Sequence, residues 1–186
     1  MAAPTPSRDD VVARILAAFR QYGYEGASLA RLSAATGLGR SSLYHYFPNG
    51  KEDMAVAAIG FVGDWFAANV LPTLEGEDAP AERLDRMAAQ LASFYQEGEA
   101  ACLTDVFTIG EAGSVFQQRL GERVRMLMGR LSRIAQQAGV PAADADRRAE
   151  DVVIGIQGSL IVSRATGSTA PFLRVCRNIP RVLLEG

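Results

Sequence analysis

Between residues 11 and 19 the apolar side chains Val11, Val12, Ile15, Leu16 and Phe19 recur at intervals of one turn. That spacing lays a single apolar stripe along a helix and is incompatible with the alternation of a half-buried strand. Similar stripes follow down the chain, punctuated by Gly and Pro, and no strand-like alternation or internal repeat interrupts them. The sequence therefore predicts an all-α fold of about nine helices.

Ser7 ahead of Arg8-Asp9-Asp10 places a capping hydroxyl and two carboxylates where the first helix has unpaired N–H groups, and Gly23 is a stop. Ser28 caps a short second helix that ends at Thr36-Gly37. The segment Gly39 to Phe47 gives two further turns before Pro48-Asn49-Gly50. Lys51 to Leu71 reads as one helix about 30 Å long. Helices are then expected over 82–97, 103–110 and 113–138, followed by one opened by Pro141 and a last one from Phe172 to Leu183. Pro180 is expected to kink or loosen that last helix.

Composition narrows the class. With 186 residues, 48% hydrophobic and 22% charged, the chain can bury a core, and disorder is excluded. Its longest stretch without a charge, Val152 to Ser163, is shorter than the roughly 18 to 20 apolar residues that span a bilayer. The opening residues lack the pattern of a secretory leader, so a cytoplasmic protein with no membrane partner is expected. Cys102 and Cys176 show no metal-ligand spacing, and the single histidine offers no acid–base pair, so neither enzyme activity, metal nor cofactor is expected. The net charge is −2, yet residues 1–52 carry six basic and four acidic groups. The front of the chain is mildly positive.

Residues 28–47 give a capped helix, a glycine turn and a second helix rich in Arg, Ser, Tyr and His, which is the layout of a helix-turn-helix. Leu29, Leu32, Leu38, Leu43 and Phe47 can pack inward on Val12, Ile15 and Phe19. Arg40 can then fork onto guanine, Ser41, Ser42 and His45 can reach base edges or phosphates, and Lys51 can hold a phosphate at the next helix start. Taken alone, Tyr44, Tyr46 and Phe47 also suit the core and rim of a helical bundle, and His45 a solvated surface.

The run Ser28 to Leu38, followed by Ser42-Leu43-Tyr44-His45-Tyr46-Phe47-Pro48-Asn49-Gly50-Lys51-Glu52-Asp53, resembles the DNA-binding signature of TetR/AcrR transcriptional regulators. The Phe-Pro-Asn-Gly-Lys portion resembles the LmrA/YxaF-like branch. The resemblance implies a dimeric, ligand-responsive repressor with a helix-turn-helix domain over 1–52 and a ligand-binding and dimerisation domain over 53–186. It implies phosphate contacts at Ser28 and Lys51, a backbone contact at Tyr44, and major-groove contacts at Arg40, Ser41 and His45, with Ser42 beside them. Gly39 departs from the family, which usually has Ser or Thr there, so the recognition helix lacks a hydroxyl cap.

For the larger domain the resemblance implies a pocket for a small apolar or aromatic effector, with Trp65, Phe66, Phe94, Phe107, Met126 and Gln157 as candidates, although most aromatic and Met side chains of these helices equally suit a plain core. Gln157 equally suits solvent, a subunit seam or the pocket. The last two helices are apolar on more than one side, which suits either a central position in a monomer or, as the family implies, a homodimer seam that includes Val153, Ile156, Leu160, Phe172, Val175 and Ile179. Two alternatives to a repressor are a helical small-molecule carrier and a thiol redox sensor without an operator. Effector, operator sequence and regulated genes are not written in the chain.

Overall fold

The computed structural model describes residues 6–186. Residues 1–5, on which most of the leader reading falls, lie outside them. Every regular element among the described residues is helical: α1 (Arg8–Gly26), α2 (Leu29–Thr36), α3 (Arg40–Tyr46), α4 (Lys51–Asn69), α5 (Pro80–Phe94), α6 (Leu103–Phe107), α7 (Gly110–Gln137), α8 (Ala142–Thr166) and α9 (Ala170–Leu184). Short 3₁₀ turns occupy Leu71–Leu74 and Gln96–Gly98.

Local chemistry explains the ends. Ser7 and Asp10 form a reciprocal cap on α1: the Asp10 amide donates to Ser7 Oγ at 3.1 Å, and the Ser7 amide to Asp10 Oδ2 at 3.2 Å. The Ser7 hydroxyl and amide hold the Asp10 carboxyl below its ordinary range. The expected stop at Gly23 is only a break: Gly23 leaves helical geometry, and one further turn runs on to Gly26. α9 continues through Pro180, because Cys176, Ile179 and Leu183 on its buried side hold the axis across the missing donor.

Packing gathers the chain into two compact units, residues up to 64 with 103–117, and residues 65–102 with 118–186. The division expected from the sequence falls after residue 52, whereas packing carries the first unit on to residue 64 and adds α6 with the start of α7. In the first unit Phe19, Tyr24, Phe107 and Phe116 meet ring to ring, with centroids 5.1 Å apart for Phe19–Phe107 and 5.4 Å for Tyr24–Phe116. In the second, Leu84, Met87 and Leu91 of α5 join Leu131, Ile156, Leu160, Phe172 and Ile179 in one core. Each fully buried side chain of this kind contributes about 1.5 to 3 kcal/mol.

The stretch Lys51–Leu74 is long and apolar enough to cross a membrane by length and composition, although Asp64 interrupts it. In the first unit, its Met54, Ala55, Ala58 and Ile59 are buried.

Candidate nucleic-acid interface

The junction of α2 and α3 is built from short polar links. Ser28 Oγ accepts the Arg31 amide at 3.3 Å and caps α2, and Gly37 closes it in the left-handed conformation that a β-carbon disfavours. Thr36 Oγ1 donates to the Leu32 carbonyl at 2.8 Å and accepts the Leu38 amide at 3.3 Å. Ser33 Oγ donates to the Leu38 carbonyl at 2.6 Å, and Arg14 Nη1 reaches from α1 to the Thr36 carbonyl at 3.0 Å. Leu32, Leu43 and Phe47 are buried beneath this frame with Val12, Ile15 and Phe19, while Leu29 and Leu38 are half-buried. Arg14, Ser33 and Thr36 were not among the residues expected to matter. The pairing of Thr36 with Gly37 was the available signal for Thr36.

This packing leaves one flank of α3 in solvent. Arg40, Ser41, Ser42, Tyr44 and His45 are all exposed, Tyr44 by 46%. Gly39 stands at the helix start with no side-chain cap, as its residue type requires. From Gly26 to Lys51 the chain contains no carboxylate, while Arg31, Arg40 and Lys51 carry positive charge. Such a surface suits a polyanion.

Both expected phosphate contacts also make bonds within the chain. Lys51 Nζ donates to the Tyr24 carbonyl at 3.1 Å and lies 4.3 Å from the centre of the Tyr24 ring, so its ammonium is part of the scaffold. Ser28 uses its hydroxyl to cap α2. Arg31, itself exposed, folds back along the chain, donating to the Gly26 carbonyl at 2.7 Å and lying over the Tyr22 ring. On the far side of α3, Gly50 takes a φ of 67° and passes under the Tyr44 ring, while the Asn49 amide donates to Asp53 Oδ2 at 2.8 Å.

The residues expected around an effector do not gather in one place. Trp65, Phe66 and Phe94 do form a half-buried aromatic cluster, with Trp65 and Phe94 centroids 4.4 Å apart. Phe107 is instead wholly buried in the aromatic core of the first unit. Met126 is 47% exposed. Gln157 is half-buried, and its Oε1 has no hydrogen-bond partner among the described residues.

The expected seam residues need a similar correction. Val153, Ile156, Leu160, Phe172 and Ile179 are buried where α8 packs on α9 in the same chain, and Val175 approaches Gly155 there. The large apolar residues of α8 that remain exposed are Ile154, Ile161 and Val162, with the exposed Gly158 between Ile154 and Ile161. Both thiols are buried. Burial pushes Cys176 up to about 11, and Tyr95 Oη lies 3.3 Å from Cys102 Sγ. Among the described residues no group of three or more His, Cys, Asp or Glu side chains is placed to hold a metal.

A buried α1 platform, a capped α2, a glycine turn and an outward-facing α3 define a helix-turn-helix protein. Residues 11–58 match the family described as bacterial regulatory proteins, tetR family. The transcriptional regulator LmrA of Bacillus subtilis is 22% identical over 95% of this chain and 96% of its own length. YxaF of the same organism, an uncharacterised helix-turn-helix regulator, is 22% identical over 94% and 93%. A TetR transcriptional regulator from Legionella pneumophila superposes with a TM-score of 0.82 at 18% identity, covering 97% of this chain and 98% of that one. A cysteine mutant of the TetR-family regulator CifR, complexed with 26-bp double-strand operator DNA, superposes with a TM-score of 0.76 at 18% identity over 97% and 98% of the two chains. Residues 11–58 thus match the DNA-binding segment of TetR-family transcriptional regulators, and the chain as a whole is similar to regulators of the LmrA/YxaF type.

Proposed function

We propose that the protein is a cytoplasmic repressor that binds a near-palindromic operator as a homodimer and is released by a small apolar or aromatic effector. The observation that carries the proposal is the exposed α3 flank, Arg40 to His45, held outward by buried Leu43 and Phe47. The operator complex of the structurally similar CifR supports the same reading. Residues 1–52 then form the reading head, and residues 53–186 hold effector and partner. Two copies of α3 enter successive major grooves about 34 to 36 Å apart. Phosphate contacts fall to exposed groups, Tyr44 and the α3 serines first, while Lys51 mainly steadies the frame.

For the partner we assign the exposed stripe Ile154, Gly158, Ile161 and Val162 of α8 in place of the buried residues beneath it. Gly158 has open space where a side chain would stand, which lets a second helix approach closely. For the effector we assign the half-buried cluster of Trp65, Phe66 and Phe94. A coupling of about 1 to 3 kcal/mol between effector and operator lowers DNA affinity roughly 5- to 150-fold. The inaccessible thiols favour this reading over a redox sensor.

The experiment is selection of binding sites from random duplexes with the full chain, followed by fluorescence anisotropy across a salt series. Enrichment of a two-fold symmetric site whose affinity falls steeply with salt is expected. Failure to enrich any site would leave a helical small-molecule carrier.

A further inference from the structure

In the second unit, the 3₁₀ turn Leu71–Leu74, the first turn of α5 and the last turns of α7 line a cavity of about 240 Å³ that is open to solvent on one side. Three guanidinium groups line it, from Arg83, Arg130 and Arg133, against one carboxylate, Glu75. Arg130 and Glu75 pair with each other. That leaves two positive charges without a counter-charge.

Arg83 is the unusual one. It is only 5% exposed, yet its partners are neutral: Nη1 donates to Gln137 Oε1 at 2.9 Å and Nη2 to the Leu74 carbonyl. Its Nε has no acceptor, and no carboxylate lies within ion-pair distance of it among the described residues. An arginine cannot discharge itself by losing a proton, so a buried guanidinium balanced only by dipoles is held at a cost that a nearby anion removes. Arg133, exposed at the same cavity, donates only to the Gly129 carbonyl of its own helix, at 3.3 Å.

We propose that this cavity is a binding site for a small oxyanion, a carboxylate or a phosphate, held between Arg83 and Arg133. The planar guanidinium fork matches both groups. The volume falls below the roughly 300 to 1,000 Å³ of sites for drug-sized ligands, which selects a small metabolite or the charged end of a larger one. The site is separate from the aromatic cluster assigned to the apolar effector. Its test needs no DNA, so its failure would not touch the operator reading.

The test is isothermal titration of the full chain with inorganic phosphate and, separately, with succinate, in chloride buffer at constant ionic strength. Saturable binding of at least one of them is expected, and which one binds tells the two chemistries apart. Arg133→Ala, a surface change that leaves the fold intact, should weaken binding at least tenfold. Arg83→Met should abolish binding and lower the melting temperature only modestly, since it removes a charge that lacks a counter-charge but also the donor to the Leu74 carbonyl and Gln137. Glu75→Gln should tighten binding by freeing Arg130, and Arg177→Ala, on the exposed side of α9, should change nothing. Absence of saturable binding to both anions, or equal losses in Arg133→Ala and Arg177→Ala, would overturn the proposal.

Discussion

Glu25 Oε1 accepts the backbone N–H of Glu111 at 2.9 Å and that of Ala112 at 3.3 Å, so a carboxylate at the end of α1 caps the start of α7. The two amides are among those an isolated helix leaves unpaired, and the negative charge meets the positive end of the helix dipole. Removing the cap with Glu25→Ala should cost about 0.5 to 2 kcal/mol. Urea denaturation should show a lower midpoint with an unchanged slope. An unchanged midpoint would mean that water replaces the carboxylate without loss.

The same contact fixes a pH dependence. Burial pushes the Glu25 carboxyl upward, but the amides of Glu25, Ala112 and Glu111 together with the Lys51 charge outweigh it and hold the group below its ordinary value of 4.5. A carboxylate whose folded value is depressed adds stability above its unfolded value, and that stability drains away as pH falls through the folded value. Comparing thermal unfolding of the parent chain and Glu25→Gln from pH 7 to pH 3, the gap between them should be constant down to about pH 5 and close below it. A gap that widens on acidification would reverse the assigned sign.

For the reading head, exposure separates affinity from stability. Arg40→Ala removes an exposed side chain, so stability should stay within about 0.5 kcal/mol. Operator affinity should fall by about 1 to 3 kcal/mol, with relaxed preference at one base position. Lys51→Ala differs, because it deletes a bond to the Tyr24 carbonyl and a charge over the Tyr24 ring. It should lower the melting temperature as well as affinity. Anisotropy on the selected operator, read beside thermal unfolding, checks both. A fully stable Lys51→Ala that loses affinity would return Lys51 to the phosphate.

Much of this was legible from residue types alone. Capping serines at 7 and 28, glycine at 37 and the apolar stripe from Val11 to Phe19 each act within a turn or two of chain, where sequence distance and spatial distance coincide. The engagements of Lys51 and Glu25 were not legible. Each depends on a partner 27 or 86 positions away whose approach is decided by packing. The expected seam residues show a related limit. Periodicity shows that Val153, Ile156 and Leu160 share a buried face of α8, but it does not say whether the cover comes from α9 of the same chain or from another copy. Only the exposure of Ile154 and Ile161 makes that distinction.

Gly50 should tolerate little substitution. Its φ of 67° lies where an L-residue is strained by about 1 to 2 kcal/mol, and an added β-carbon would stand 3.4 Å from Tyr44 Cε1. Gly50→Ala should lose about that much stability and weaken operator binding through a displaced Tyr44. Gly50→Asn should lose less, because asparagine accepts the left-handed region more readily. Equal losses in the two, measured by urea denaturation, would place the strain in the Tyr44 contact instead of the backbone.

The α8 surface gives the clearest separation of fold from assembly. Ile161 is 49% exposed and Ile154 61%, whereas Leu160, next to Ile161 in sequence, is wholly buried against the chain's own core. A glutamate at position 161 or 154 faces water in a monomer and costs little, but in the proposed seam it loses hydration without gaining a partner. Ile161→Glu should therefore shift the protein from dimer to monomer in light scattering while its helical content and melting temperature at low concentration hold. Operator affinity should drop with it, since a single reading head forfeits the second half-site. Leu160→Glu should instead unfold the second unit outright. A dimer that persists in the Ile154→Glu, Ile161→Glu double variant would move the seam off this face of α8.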